Sequence, residues 1–134
     1  MKYIIAYLVV ATVFLVIDYF WLSYVMKDMF DKHVGHLLAE NFNIAVAAIF
    51  YLIFGAGIVL FCVAPALASG SWLLALGYGA VFGFLTYGTY DATNLATLKD
   101  WPVFLAVIDT AWGTALTAIS ALAGYLVVSK LFES

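Results

Sequence analysis

The sequence predicts an all-α integral membrane protein, an antiparallel bundle of four transmembrane helices with both termini on one side. Of its 134 residues, 67% are hydrophobic and 10% are charged, whereas a soluble domain averages about 25% charged residues. Four apolar runs fill the chain, and each is close to the about 20 residues that a helix needs to cross a bilayer. Residues 1–134 are therefore expected to form a single transmembrane domain.

The first predicted span covers residues 3–25 and follows one basic residue, Lys2. A cleaved secretory signal has an apolar region of about 7–15 residues that ends at small side chains. This run is longer and ends in aromatic residues that follow Asp18, so we interpret it as a retained helix. An interfacial segment, partly helical, is predicted at residues 26–40, where charged side chains alternate with apolar ones.

Breaks in the apolar pattern place the other three spans. The second covers residues 44–63 and is predicted to stop at Ala64-Pro65, followed by Ser69-Gly70-Ser71, because proline lacks the N–H that a helix interior uses and small polar residues favour turns. The third covers residues 72–94 and could continue past its last residue. The fourth covers residues 103–128, because Pro102 suits the opening of a helix.

The charged residues limit the partners and the chemistry. The net charge is −3 and the five basic residues are all lysines, so no basic patch suitable for nucleic acid is expected. The single cysteine, Cys62, cannot form an intrachain disulfide. Two lysines fall on the terminal side of the predicted bundle and three on the opposite side, a difference too small to orient the protein.

Three aspartates fall inside the predicted spans, at Asp18, Asp91 and Asp109. An aspartate at the centre of a spanning helix costs about 2.5–3.5 kcal/mol on insertion scales, so each of them needs an explanation. An antiparallel topology brings the ends of the first and third spans beside the starts of the second and fourth, which places all three acids toward one side of the membrane. With no basic residue at that depth, the acids must share protons, bind a cation or face water.

These acids are the candidate catalytic residues, and the polar and aromatic residues at the same depth are the candidate ligand-binding residues. Helical spacing puts Tyr87, Asp91 and Asn94 on one face, and Asp109 with Trp112 on another. The alternative is that these groups only cross-link helices through hydrogen bonds in lipid. The predicted ligand-binding set is Asn43, Tyr87, Tyr90, Asn94, Trp21 and Trp112, with Asn41 beside it.

Two further sequence patterns are weaker evidence for a functional site. Residues 16–21 and 107–112 share the pattern Val-Ile-Asp-x-x-Trp, which would fit an inverted repeat, but six residues are few and coincidence in an apolar chain is the preferred interpretation. His33 and His36 share a helix face near carboxylates. Because Gly35 between them leaves their geometry unfixed, we predict a solvated interfacial helix and no metal site.

Residues 87–97 read Tyr-Gly-Thr-Tyr-Asp-Ala-Thr-Asn-Leu-Ala-Thr, and residues 109–113 read Asp-Thr-Ala-Trp-Gly. Together with Asp18 and Trp21, this pattern resembles a bacterial family of small predicted membrane proteins known only as a domain of unknown function. The resemblance covers the whole chain and implies a four-helix protein of the bacterial inner membrane. It implies no particular reaction or cofactor, although genes of that family lie beside genes for fatty-acid ring modification and flavoproteins, which suggests lipid as the context.

Three functions are compatible with these observations. The first is a membrane protein that binds or modifies a lipid or another apolar small molecule, with Asp91 and Asp109 as acid and base and Asp18 orienting them. The second is a proton- or cation-coupled transporter or channel, which four helices would form as a homo-oligomer. The third is an accessory subunit of a larger membrane complex. We prefer the first, because the acids lie toward one side of the membrane and no acidic residue occurs between Ala64 and Ser71 to continue a proton or cation path to the other side. We leave open whether the protein is an enzyme.

Overall fold

A computed structural model describes residues 1–37 and 43–132 of the chain. Four continuous helices in these ranges are long and apolar enough to cross a membrane, and the ranges contain no strand. The predicted all-α membrane fold is confirmed, whereas the antiparallel order and the side of the termini stay predictions. The α-helices are α1 Lys2–Trp21, α2 Lys27–Val34, α3 Ile44–Ile58, α4 Ala64–Ser69, α5 Trp72–Thr97 and α6 Val103–Leu131.

The first long helix joins α1 to α2 through a π-helical turn, Leu22–Met26, and ends in a 3₁₀ turn, Gly35–Leu37. The chain therefore stays helical across the position where we expected a span to give way to an interfacial segment. Its 36 residues reach about 54 Å at 1.5 Å per residue, which exceeds the about 30 Å of a hydrocarbon core. The charged helix α2 thus extends beyond the apolar layer, and residues 38–40 of the expected segment lie outside the described ranges.

The second long helix joins α3 to α4 through another π-helical turn, Val59–Val63. The prediction that Pro65 ends this span is wrong, because the helix continues to Ser69 and ends at Gly70, which has a φ of 66°. The physical reason lies in the π-helical turn. A new α-helical segment begins directly after it, so Pro65 occupies a first-turn position where the missing N–H costs little.

Helices α5 and α6 pack closely along one another because glycines line their contact. A Cβ atom added to Gly79 would lie 2.8 Å from the Cα atom of Ala118, and one added to Gly83 would overlap the carbonyl oxygen of Gly113. Small residues allow helix backbones to approach one another in lipid. The polar face of α5 is thereby held against α6.

Helix α1 packs along α6 through a largely apolar cluster. Ala6 and Val10 are fully buried there, and a Cβ atom added to Gly124 would lie 2.7 Å from a methyl group of Val10. The buried apolar cluster includes Ala6, Val10, Phe14, Leu116, Ala121 and Val128.

A second, smaller apolar cluster fastens α2 to the start of α6. Its buried members are Met26, Val34, Trp101, Leu105 and Ala106. Beyond it, on the exposed surface, the Nε2 atom of His36 lies 3.0 Å from an Oδ2 atom of Asp100. The extension of the first helix is therefore docked on the segment that connects α5 to α6.

Candidate functional site

Three buried aspartates from three different helices meet near the start of α6. The side chains of Asp18, Asp91 and Asp109 are 5%, 1% and 7% exposed. The carboxyl groups of Asp91 and Asp109 lie within hydrogen-bonding reach of each other, and Asp18 is close enough to Asp109 for direct electrostatic interaction. In the described part of the chain no lysine or histidine pairs with any of the three acids; the one such contact there joins His36 to Asp100.

Asp91 is the most deeply buried of the three and has only one hydroxyl donor. The hydroxyl group of Thr110 donates to its Oδ2 atom over 3.4 Å. Within residues 1–37 and 43–132, its Oδ1 atom has no donor in hydrogen-bonding geometry, and the indole N–H of the neighbouring Trp101 is likewise buried without an acceptor. A hydrogen bond between two carboxyl groups requires a proton on one of them. Asp91 and Asp109 therefore form a pair suited to holding one shared proton.

Asp18 is held by a donor on another helix. The indole N–H of Trp112 donates to its Oδ1 atom over 3.2 Å, and Tyr51 of α3 lies beside the same carboxyl group. The ring of Trp112 is stacked on that of Trp21, with ring centroids 4.1 Å apart and an angle of 6° between the planes. This stack and the indole hydrogen bond fix the orientation of the Asp18 carboxyl group.

A cavity of about 390 Å³ lies between the helices beside these acids. Small-molecule sites measure about 300–1,000 Å³, so the cavity has the size of a ligand site. At its outer edge Phe50 is 67% exposed and Tyr90 is 52% exposed, which shows that the cavity opens sideways between α3 and α5. Its lining consists of Asp18, Leu22, Phe30, Ala47, Phe50, Tyr51, Phe54, Thr86, Tyr87, Tyr90 and Asp109.

Aromatic rings bridge α3 and α5 at the inner end of this cavity. The ring of Phe54 stacks on Phe82 at 5.3 Å and meets the edge of Tyr87 at 6.3 Å. Tyr87 in turn lies directly over Gly113, where any Cβ atom would overlap its ring. Gly113 therefore makes room for Tyr87, and the position of Tyr87 sets one wall of the cavity.

Most of the predicted site residues come together at this place. Asp18, Asp109, Tyr87 and Tyr90 line the cavity, and Asp91 lies directly behind Asp109.

The other predicted residues lie around the cavity without lining it. Trp21 and Trp112 support Asp18 from outside it, and the side chain of Asn94 lies near the hydroxyl group of Tyr90. Asn43 lies apart, where its side chain accepts a hydrogen bond from the backbone N–H of Val46 over 3.1 Å and caps α3. Asn41 lies outside the described residues.

The sequence reasoning missed the contribution of the second span. Tyr51 lies beside Asp18, and Phe50 and Phe54 form a wall of the cavity. These residues recur at helical spacing near the start of the span, on the side of the three acids. That spacing was the available signal, but aromatic residues at this depth are also typical of a membrane-interface belt.

The two histidines do not form a joint site. His33 places its Nδ1 atom 3.0 Å from the carbonyl oxygen of Met29 and its ring against Phe104, whereas His36 faces Asp100. Across residues 1–37 and 43–132, no group of three or more His, Cys, Asp or Glu side chains has an arrangement that could hold a metal ion.

Four apolar helices, with acids buried among them, define a polytopic integral membrane protein. The chain belongs to the family described as predicted membrane protein (DUF2177), a domain of unknown function, whose model matches residues 3–126. The resemblance drawn from the sequence motifs is thereby confirmed at the level of the family. Searches of the curated proteins and of the solved structures found no significant match.

Proposed function

We propose that the protein binds a lipid or another apolar small molecule with a polar head in the cavity between α1, α3, α5 and α6. One observation supports this proposal above the others: a cavity of about 390 Å³ opens sideways within the spans and exposes the carboxyl groups of Asp18 and Asp109. The apolar tail would lie among aromatic rings and lipid, and the polar head would meet the acids.

The size of the cavity limits what can enter it. At about 30 Å³ per water molecule, its volume corresponds to about a dozen waters, which is enough for a head group and a short part of a tail. The rest of a longer molecule would leave through the opening beside Phe50 and Tyr90, whose exposed rings lie at the edge. This geometry favours a ligand that stays partly in the membrane.

The arrangement of the acids also suits proton transfer to such a ligand. Asp109 faces the cavity, whereas Asp91 lies behind it and is held by Thr110. Asp109 would exchange a proton with the ligand, and Asp91 would supply or accept that proton on the protein side. A positioned acid or base of this kind contributes about 10²–10⁴-fold to a rate. Asp18, oriented by Trp112, would hold the head group in place.

A proton- or cation-coupled transporter and an accessory subunit remain the alternatives. Within the described residues the half of the molecule away from the acids is filled by the apolar cluster around Val10 and Leu116. A proton or cation that crossed the membrane through a single chain would have to pass through that apolar cluster. The transporter alternative would therefore require a homo-oligomer. For the membrane itself we infer the bacterial inner membrane, because outer-membrane proteins span as β-barrels and the spans here are helices.

A matched pair of substitutions on α3 tests the proposed function. Ala47 lines the cavity and its neighbour Ala48 does not, while both side chains are exposed. The protein is purified in mild detergent and bound small molecules are identified by native mass spectrometry. We expect a co-purifying molecule in the wild type and in Ala48→Phe, and its loss in Ala47→Phe. Equal occupancy in both variants would contradict binding in this cavity.

A further inference from the structure

The composition of the cavity wall distinguishes between kinds of polar head. Six of its lining residues carry aromatic rings: Phe30, Phe50, Tyr51, Phe54, Tyr87 and Tyr90. Among the described residues, two of the lining side chains are acids and none is a lysine or a histidine. The wall therefore combines aromatic rings with carboxyl groups.

Asp109 is the acid of this wall to which no N–H or neutral hydroxyl group of the described residues donates. Its side chain is more than nine-tenths buried and borders the cavity. Among the described residues no N–H group donates to it, and its one polar contact is with the carboxyl group of Asp91. A buried acid without a donor is costly unless a ligand or a proton compensates it. The cavity thus presents an acceptor that an entering positive group would satisfy.

We propose that the head group of the ligand is a substituted ammonium ion. Aromatic faces attract alkylated ammonium groups through the quadrupole of the ring, and the carboxyl groups of Asp18 and Asp109 in the same wall can supply the opposite charge. This inference rests on the proposed function, since it specifies the ligand of the same cavity.

Other heads fit this wall less well. A phosphate or carboxylate head would meet two acids and no basic residue in the lining and would be repelled. A bare divalent metal prefers oxygen ligands to aromatic rings. A neutral alcohol could use one carboxyl group as an acceptor but would leave the second acid uncompensated. The combination of rings and acids therefore selects a soft organic cation.

The test compares choline with 3,3-dimethylbutan-1-ol, which has the same shape without the charge. Saturable binding to the purified protein in phosphatidylglycerol nanodiscs is measured by saturation-transfer difference NMR. We expect choline to bind more tightly than the neutral compound by on the order of tenfold. Asp109→Asn should abolish that preference, and Asp31→Asn, which alters an exposed acid on α2, should leave it unchanged.

A second pair of variants isolates the rings and guards against misfolding. Tyr90 lines the cavity and is half exposed, so its replacement should not disturb packing. Tyr90→Phe keeps the ring and should keep choline binding, whereas Tyr90→Leu should weaken it several-fold. If Tyr90→Leu binds choline as tightly as the wild type, the aromatic rings do not contribute to recognition of the ammonium group.

The outcomes separate this inference from the function on which it rests. If the neutral compound binds as well as choline, or if only a neutral or anionic molecule occupies the cavity and Ala47→Phe expels it, the ammonium inference fails and the binding function stands. If neither compound binds and Ala47→Phe changes no bound molecule, both fail.

The source of the ammonium group is tested in the same system. Phosphatidylcholine in the nanodisc would compete with free choline if the ligand is a lipid head, and would leave its binding unchanged if the ligand is a free amine.

Discussion

Trp112 donates its indole N–H to Asp18 over 3.2 Å while its ring lies flat on the ring of Trp21. These residues belong to the two copies of the pattern Val-Ile-Asp-x-x-Trp, at 16–21 and 107–112. The two copies therefore pack directly against each other, on the first and last helices of the chain. Whatever the origin of the pattern, its two tryptophans form one structural unit.

The pairing of the two copies is not symmetric. A symmetric arrangement would have Trp21 donate to Asp109, but the indole N–H of Trp21 is buried without a partner, and Asp109 contacts Asp91 of α5 instead. One acid of the repeat is consequently held by an indole, and the other is linked to a second acid. The two positions are therefore suited to different roles.

The tryptophan unit predicts unequal effects of two equivalent substitutions. Trp112→Phe removes the indole donor of Asp18 and should destabilise the protein by about 1–3 kcal/mol, because a buried acceptor loses its partner. Trp21→Phe removes an N–H that has no acceptor and should cost less. Thermal unfolding in detergent measures both changes, and equal losses would show that the hydrogen bond contributes nothing beyond ring packing.

The carboxyl pair predicts opposite effects on stability and function. In Asp91→Asn the amide can donate to Asp109 without needing a shared proton, and one costly acid is removed from the membrane, so thermal stability should be equal or higher. Proton transfer would be lost, because an amide does not exchange a proton in this way. Complementation of a gene deletion should therefore fail for Asp91→Asn and for Asp109→Asn, while both proteins remain assembled.

The same variants also decide between the proposed function and a packing role. Full complementation by both asparagine variants would exclude the acids from the mechanism and favour the accessory-subunit alternative. Asp31→Asn, on the exposed face of α2, is the control and should behave as the wild type in both measurements.

Gly113 provides a test of how the cavity wall is built. Gly113→Ala would place a methyl group inside the ring of Tyr87, so the ring must move and α5 must separate from α6, at a cost of about 1–3 kcal/mol. Gly77→Ala is the matched control, because nothing lies within 4 Å of the added atom, and it should stabilise the same α5–α6 pair by about 0.5–1 kcal/mol. Unfolding temperatures in detergent measure both. Similar values for the two variants would contradict the close contact at Tyr87.

Pro65 tests the π-helical turn before α4. Because Pro65 lies in the first turn of α4, Pro65→Ala should change the unfolding temperature little. Ala56→Pro, in the interior of α3, should lower the free energy of unfolding by about 3 kcal/mol. A large fall in the unfolding temperature of Pro65→Ala would show that the proline itself stabilises this part of the helix.

The sequence predicted the acids well and the second span poorly, for physical reasons. An aspartate in an apolar span is costly, so Asp18, Asp91 and Asp109 stood out without knowledge of the fold. Tyr51 and Phe54 did not, since aromatic residues are frequent throughout membrane helices and only tertiary contact shows which of them face the acids.

The limits of the second span and the length of the first were missed for another reason. Local rules interpret Pro65 as a stop and the charged residues after Met26 as the end of a helix. A π-helical turn precedes the proline, and a second apolar cluster supports the charged helix α2. Neither the turn nor the cluster produces a periodic signal in the sequence.

The continuity of the first helix links the membrane cavity to the water outside it. Phe30 of α2 lines the cavity, and His36, about 9 Å further along the same helix at 1.5 Å per residue, contacts Asp100 on the exposed surface. A soluble molecule that binds the outer face of α2 would therefore act on a wall of the cavity through one helix, without an intervening loop. Thermodynamic linkage makes such an effect reciprocal: whatever change in affinity the outer partner produces at the cavity, an occupant of the cavity would produce at the outer face.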